Sequence, residues 1–428
     1  MFKRLGVMLS GLQQYYANLS SSFVTYLLGA VVNLTATYAM MVLLINVLAK
    51  EDYAQYGVYI SLFSLLLIFF NFGHKEVVFK YASASRADST LSPLPVLFIG
   101  FYRWNLLLLA LVQVLIVFDT TLYAGAMMFL VNSWMVTLAA YHRGSTDYKK
   151  DAWALPLQRL LWLSFSLSCY FTFDSLGLIT LFFCGLLATS LCIVWLYWPL
   201  RRVESVKFNG AALLSNPLKT GQMKLLLSYL VVEISSVFYL KSDVLLLRFF
   251  DLDMTVIADY FFAIQVFEIA VLVLMPIGYF YLNRLNLVEP EQRSHVSILP
   301  MLMVLLTLLV LMHGGFAWLA PMVFPYAAPK YVESINVVLW VMCSLYPVAV
   351  NILLSSQLIV ANKERTYAKI CFIALLFNLI ANSVLIPSMG LTAVMAVKFL
   401  TELLIMLLLL LVCRSTAMNQ SNKSTLVS

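Results

Sequence analysis

Charged residues are scarce in this sequence. They make up 11% of its 428 residues, against about 25% in a typical soluble domain. Hydrophobic residues make up 62% of the chain. This balance lies far outside that of a soluble globular domain, and it indicates a polytopic membrane protein.

Motifs of common catalytic sites are also lacking. No G-x-x-x-x-G-K loop is present, so ATP hydrolysis by this chain is not expected. There is neither a His-Glu metal cluster nor a Ser, His and Asp arrangement in a large loop. The six cysteines lack metal-type spacing and are interpreted as packing residues. We therefore expect no enzyme, no metal site and no cofactor, apart from a coupling H⁺ or Na⁺.

Long apolar runs recur along the chain, separated by short polar breaks. A helix needs about 20 apolar residues to cross a bilayer, so the runs predict an all-α membrane protein with about twelve spans. The predicted spans are residues 20–48, 56–80, 94–118, 121–141, 153–173, 177–199, 224–249, 255–282, 297–323, 331–360, 366–387 and 390–412.

The distribution of lysine and arginine predicts the orientation. With a cytoplasmic N-terminus, only Lys50 and Lys330 among the basic loop residues fall on the far side, so both termini are expected in the cytoplasm. The net charge of +7 reflects this asymmetry, and no nucleic-acid partner is expected. Residues 1–19 are predicted to form an amphipathic segment on the cytoplasmic surface. Residues 413–428 are predicted to be a cytoplasmic tail.

Short internal repeats keep their order in the two halves of the chain. The matches are Ala54–Tyr59 with Ala258–Ala263, Ser92–Pro95 with Ser297–Pro300, and Ser175–Leu178 with Ser388–Leu391. The spacing equals six spans, which predicts two pseudo-symmetric lobes of like orientation at 20–199 and 224–412. A basic linker at 200–223 joins them on the cytoplasmic side. Transporters of this plan bind substrate at the seam between their lobes.

Several stretches together resemble one family. They are "EDYAQYGVY", "SDVLLLRFF" followed by "ADYFFA", and the closing series "PKYVESINVVLW", Asn351, "ANKER" and "FNLIANSVLIPSMGL". The ordered set resembles the polysaccharide-transporter branch of the multidrug/oligosaccharidyl-lipid/polysaccharide exporter superfamily. Arg248 departs from the pattern, because relatives often carry a small residue there. The resemblance implies a flippase for polyprenyl-diphosphate-linked oligosaccharides, such as O-antigen units, in the bacterial inner membrane.

Charges within the predicted spans are the candidate site residues. Lys241 and Arg248 share one face of span seven, where they are predicted to bind a diphosphate. The alternative is that both side chains extend to the outer headgroups. Span two is predicted to carry a polar stripe. Its members are Ser61, Ser64, Asn71 and Lys75.

That stripe suits sugar hydroxyls, although hydrogen bonding between helices explains it equally well. Asn33 in span one is predicted to line the same cavity.

Carboxylates within the spans are candidates for ion coupling. Asp243, Glu268 and Glu233 are predicted to bind H⁺ or Na⁺ in one lobe orientation and to release it in the other. Glu402 is instead predicted to pair with Lys398, one turn before it. In span eleven, a pair of asparagines is interpreted as packing between helices. The pair is Asn378 and Asn382.

Three functions remain open at this stage. A flippase of lipid-linked oligosaccharide predicts a cationic cavity, and Lys75 and Lys241 favour it. A multidrug exporter predicts an acidic, aromatic cavity. A membrane oligosaccharide polymerase is less favoured because the predicted outer loops are short. For the flippase, the expected partners are the polyprenyl-diphosphate-linked oligosaccharide, membrane lipids, and the polymerase and chain-length regulator of the same pathway.

Overall fold

The computed structural model of the protein describes residues 25, 28–84, 94–145, 148–200, 220–287, 298–361 and 363–425. Within these ranges the regular secondary structure is helical. The predicted segment 1–19 and nearly all of the predicted linker 200–223 lie outside the described residues. The α-helices are α1 (Leu28–Val47), α2 (Lys50–Asn71), α3 (His74–Ala84), α4 (Leu94–Phe118), α5 (Thr120–Gly144), α6 (Tyr148–Phe173), α7 (Leu178–Tyr197), α8 (Thr220–Phe249), α9 (Met254–Leu287), α10 (Leu299–Ala327), α11 (Ser334–Cys343), α12 (Leu345–Val360), α13 (Glu364–Met389) and α14 (Leu391–Thr425).

Ten helical segments in the described ranges are long and apolar enough to cross a membrane. The two other predicted spans, 153–173 and 224–249, fall on α6 and α8, which have 26 and 30 residues. α8 is less apolar because it carries the charges of the predicted site. The predicted class, an all-helical multi-pass membrane protein, is confirmed.

The predicted second span, residues 56–80, is divided between α2 and α3. Phe72 and Gly73 lie between the two helices with φ angles of 49° and 71°, which a right-handed helix does not contain. A Cβ atom on Gly73 would lie 2.6 Å from the carbonyl oxygen of Leu226, so this position requires glycine. The prediction of one continuous helix over 56–80 was therefore wrong.

This break also divides the polar stripe predicted along the second span. Ser61, Ser64 and Asn71 lie on α2, whereas Lys75 lies in the first turn of α3. The four side chains therefore do not follow one helix face, because the turn at positive φ starts a new helix. The Asn71 Oδ1 atom instead accepts a hydrogen bond of 2.9 Å from the backbone N–H of Lys75.

The predicted tenth span, residues 331–360, is broken at Ser344 between α11 and α12. Pro347 has no N–H to donate to the carbonyl of Cys343, four residues earlier. Shortly before this proline, the Ser344 N–H bonds to the carbonyl oxygen of Val341, three residues earlier, at 3.0 Å. This bond tightens the end of α11. A break at this point is the expected effect of a proline within a helical run.

The chain divides into two compact units. They are Met1–Met40 with Leu66–Leu230, and Met41–Leu65 with Val231–Ser428. The predicted lobes, 20–199 and 224–412, differ from these units mainly because residues 41–65 group with the second unit. The last helix also continues to Thr425, so the predicted tail at 413–428 begins inside α14.

An apolar core holds the first unit together among α3, α4, α5 and α7. Val77, Leu97, Phe101 and Met135 are among its buried side chains. Asn105 provides a buried polar contact between α4 and α5. Its Oδ1 atom accepts a hydrogen bond of 2.9 Å from the Ser133 hydroxyl.

A polar corner in the second unit joins the start of α2 to α9. The Lys50 ammonium lies 2.7 Å from the Asp259 carboxylate, and the Tyr53 hydroxyl donates to Gln265 at 2.9 Å. The two copies of the first internal repeat, Ala54–Tyr59 and Ala258–Ala263, pack on each other here. A Cβ atom on Gly57 would lie 2.5 Å from the Phe261 ring. These contacts explain why residues 41–65 group with the second unit.

Substituting Gly57 tests this packing. We expect Gly57→Ala to lower the free energy of unfolding by about 1–3 kcal/mol, because the added methyl group overlaps a fully buried ring. Thermal unfolding of the purified protein in detergent measures the change.

Gly314→Ala is the matched control, since Gly314 is also helical but a Cβ there meets no atom within 4 Å. Equal unfolding temperatures for the two variants would contradict the close approach of Gly57 to Phe261.

Candidate functional site

Asp243 is the centre of a buried polar cluster in the second unit. Asp243 is 0% exposed and lies in the C-terminal part of α8. The Tyr260 hydroxyl on α9 donates to Oδ2 at 2.7 Å, and the Asn382 side-chain amide on α13 donates to Oδ1 at 2.9 Å. Both donors stabilise the ionised form of a carboxylate that water does not reach.

Lys398 on α14 supplies the positive charge of this cluster. It is also 0% exposed, and its ammonium nitrogen lies 3.9 Å from Asp243 Oδ2. The ammonium faces the rings of Tyr239 and Phe267, with distances to their centroids of 5.1 and 4.9 Å. It donates no hydrogen bond within the described residues. The predicted pairing of Lys398 with Glu402 is therefore corrected, because the ion pair is with Asp243.

Glu402 lies one turn beyond Lys398 on α14 and is 6% exposed. The Tyr239 hydroxyl on α8 donates to its Oε1 atom at 2.5 Å. The side-chain amide of Asn351 on α12 donates to Oε2 at 2.8 Å. Asn351 is itself buried, and its Oδ1 atom accepts no hydrogen bond within the described residues.

The two asparagines of α13 extend the network. Asn378 Oδ1 accepts hydrogen bonds from Asn382 at 3.3 Å and from the Ser242 hydroxyl at 3.4 Å. The Asn378 amide in turn lies 3.5 Å from the Thr401 hydroxyl on α14. Their interpretation as packing residues between helices is thus incomplete, because Asn382 also binds the Asp243 carboxylate.

A cavity of about 380 Å³ lies beside Glu402, within the second unit. Polar side chains from α8, α12, α13 and α14 contribute to its wall. They are Ser235, Tyr239, Asn351, Ser355, Ser356, Tyr367, Cys371 and Glu402. Asp243 and Lys398 do not line this cavity.

Lys241 and Glu268 form a second charged site in this unit. The Lys241 ammonium on α8 is hydrogen-bonded and ion-paired to Glu268 on α9. The lysine side chain is 14% exposed and the glutamate side chain 36%. Two predicted site residues with different expected roles, diphosphate binding and ion coupling, are therefore in direct contact. Sequence spacing alone did not predict this pair.

Lys75 is also paired, in the first unit. Its ammonium lies 3.3 Å from the Glu76 carboxylate, and its side chain is 32% exposed. Asn71 is buried beside it, and Asn33 on α1 is half-buried with an Oδ1 atom that accepts no hydrogen bond within the described residues.

Three further predicted site residues also lie outside the Asp243 cluster. Arg248 is exposed in the last turn of α8, as expected for a side chain that extends toward the headgroups. Glu233 is half-buried on the same helix. The Ser64 hydroxyl donates to the Ile60 carbonyl of its own helix at 2.7 Å, which is an ordinary contact of a serine in a membrane helix.

Comparison with known proteins shows the same fold in solved transporter structures. No protein-family model and no curated protein sequence matches the chain. An inward-facing multidrug resistance MATE family transporter of the MOP superfamily is similar over 92% of this chain and 99% of its own, with a TM-score of 0.67 and 11% identity. Lipid II flippase MurJ in an inward closed conformation is similar over 91% of this chain and 87% of its own, with a TM-score of 0.64 and 13% identity.

A third similar structure is a MOP superfamily transporter from Pyrococcus furiosus, described as having a binding pocket of reverse polarity that suggests a different function. It covers 94% of this chain and 96% of its own, with a TM-score of 0.58 and 10% identity. This chain has the fold of the MATE and MurJ transporters. At 10–13% identity the likeness does not extend to substrate.

The buried ion pair predicts a specific pattern of stability. Lys398→Met leaves Asp243 without its cation, and at neutral pH we expect the free energy of unfolding to fall by about 3–5 kcal/mol. The double variant Asp243→Asn with Lys398→Met removes both charges and should recover most of that loss. Thermal unfolding in detergent measures the wild type, Lys398→Met, Asp243→Asn alone and the double variant.

If the losses in unfolding free energy of the two single variants simply add in the double variant, a direct interaction between Asp243 and Lys398 is contradicted.

Proposed function

We propose that the protein is a flippase that moves a polyprenyl-diphosphate-linked oligosaccharide from the inner to the outer leaflet of the bacterial inner membrane. The substrate class comes from the sequence resemblance to polysaccharide transporters. The fold supports transport in general, since MATE and MurJ structures share it. The similar MurJ structure, described as a lipid II flippase, supports a substrate with a lipid tail.

The contact between Lys241 and Glu268 is the observation on which the proposal rests. A lysine within an apolar helix needs an opposite charge, and Glu268 supplies it when no substrate is present. A diphosphate carries more negative charge than one carboxylate and accepts several hydrogen bonds, so it can displace Glu268 from the ammonium. The 36% exposure of the Glu268 side chain leaves the pair open to such an exchange.

We assign ion coupling to the carboxylates of the spans. Glu268 is the candidate whose side chain is partly exposed, and we propose that it binds H⁺ or Na⁺ in one lobe orientation and releases it in the other, so that the ion moves inward as the substrate moves outward. Asp243 and Glu233 stay further candidates for coupling, and Lys75, Asn71, Ser64, Asn33 and Arg248 stay candidates for contact with the head group.

The transport cycle that we propose is alternating access. The sugar diphosphate enters from the cytoplasm while its polyprenyl tail stays in the lipid, and a change in lobe orientation exposes the head group outside. The proposed protein partners are the polymerase and chain-length regulator of the same pathway, which act on the translocated unit.

Export of cationic drugs is the second candidate, and the fold supports it equally. The similar MATE structure with the highest TM-score quoted above is a multidrug resistance transporter. The Glu268 carboxylate is suited to bind a cation. Its side chain is 36% exposed, which leaves it open to a cationic ligand.

Complementation of a bacterial strain that lacks its O-antigen flippase tests the substrate class. We expect the protein to restore surface glycan and to remove the lipid-linked unit that accumulates on the cytoplasmic side. Lys241→Gln should reduce this restoration at least tenfold, because the diphosphate loses its ammonium partner. Membrane abundance is measured for each variant.

Lys369→Gln is the control, because Lys369 is an exposed lysine on α13, outside the proposed site. Resistance to cationic dyes is measured in the same strain. Full restoration by Lys241→Gln would overturn the role of this lysine. Dye resistance without surface glycan would favour the multidrug exporter.

A further inference from the structure

A charge imbalance is built into the cluster around Asp243. Asp243 and Lys398 are 0% exposed and Glu402 is 6% exposed. If all three groups are ionised, two negative charges face one positive charge, and a net negative charge remains buried. An unpaired buried charge costs several kcal/mol. One added proton makes the group neutral.

The contacts of the two carboxyl groups indicate where this proton lies. Asp243 has the ion pair with Lys398 and accepts two further hydrogen bonds, from Tyr260 and Asn382. All three interactions favour its ionised form. Glu402 also accepts two hydrogen bonds, but the described residues place no cation within 4 Å of it, so Asp243 is the better stabilised carboxylate and the proton is assigned to Glu402.

The surroundings of Glu402 can serve both of its protonation states. The Tyr239 hydroxyl contacts Oε1 and is able either to donate to a carboxylate or to accept from a carboxyl O–H. The Asn351 amide donates to Oε2 in both states. From α13, Tyr367 and Cys371 face the same cavity as neutral groups. Lys398 and Asp243 are the charged groups near it.

Of the two carboxyl groups, only that of Glu402 belongs to a residue that lines this cavity. The cavity of about 380 Å³ reaches Glu402 but neither Asp243 nor Lys398. At about 30 Å³ per molecule, such a volume holds several waters. Asn351, whose amide donates to Glu402, also lines this cavity.

We infer that Glu402 is an exchangeable proton-binding site and that Lys398 is a built-in cation that keeps Asp243 ionised. Protonation forms the Glu402 O–H bond with a proton from cavity water, and deprotonation returns that proton to water. No other bond changes. The inference rests on the proposed ion-coupled transport for its biological role, and it selects a carboxyl group that the sequence analysis had assigned to a structural pair.

Infrared difference spectroscopy of the purified protein in lipid nanodiscs tests this site without any substrate. A protonated buried carboxyl group has a C=O stretching band distinct from that of a carboxylate. We expect the wild type to show one such band that disappears as the pH is raised. The band should be lost in Glu402→Gln, and it should shift to lower frequency when glutamate, but not aspartate, carries ¹³C in its side-chain carboxyl group. It should also be lost in Asp243→Asn, because Lys398 then neutralises Glu402 without a proton.

Lys398→Met provides a second measurement on the same cluster. Without the lysine, two carboxyl groups lack a cation, so neutrality requires a second proton and the band should gain about twofold in intensity. If this variant does not fold, the wild type with labelled glutamate or labelled aspartate, together with Glu402→Gln, decides the question by itself. A band that is absent from the wild type at every pH would overturn the inference. So would a band that shifts with labelled aspartate, or one that is kept in Glu402→Gln.

These results are separable from the glycan experiment. If complementation fails while the Glu402 band titrates as expected, the substrate class is wrong and the proton site stands. If complementation succeeds without a titrating band, the flippase proposal stands and Glu402 is structural.

Discussion

A charge inside an apolar helix bundle needs an opposite charge beside it, and this constraint organises the second unit. Lys241 is matched by Glu268, and Asp243 by Lys398. In each pair the partners lie on different helices, so the pairing also fixes how those helices pack. The high cost of an unpaired charge in a low dielectric is what makes such pairs specific.

The two pairs differ in how far water reaches them. The first is partly exposed, and we propose that its ammonium exchanges the carboxylate for an anionic ligand. The second is closed, with both residues 0% exposed, and hydrogen bonds from Tyr260 and Asn382 hold its carboxylate. One helix, α8, carries a member of each pair two residues apart. In the proposed cycle, a ligand at Lys241 and a proton on Glu402, which contacts Tyr239, both act on this helix.

Much of the architecture was predictable because hydrophobicity alone decides which segments enter a membrane. Apolar runs of about 20 residues predicted the all-helical class. The same patterns could not predict the break at Phe72 and Gly73, where backbone angles respond to the close approach of Leu226 from a distant helix. They also could not predict that residues 41–65 group with the second unit, since that depends on contacts such as Lys50 with Asp259.

The candidate site was predictable in its residue types and much less so in its pairings. Charges in apolar runs identified Lys241, Asp243 and Glu268 from sequence alone, because such residues are rare in membrane helices. Helical spacing favoured a pair between Lys398 and Glu402. Only the tertiary structure shows that Lys398 pairs with Asp243 and that Glu402 is bound by Tyr239. These partners lie on separate helices, so helix packing determines the pairs and spacing along the chain does not. The sequence by itself thus determined that the chain enters a membrane with charges inside it, and the fold decided which charges neutralise one another.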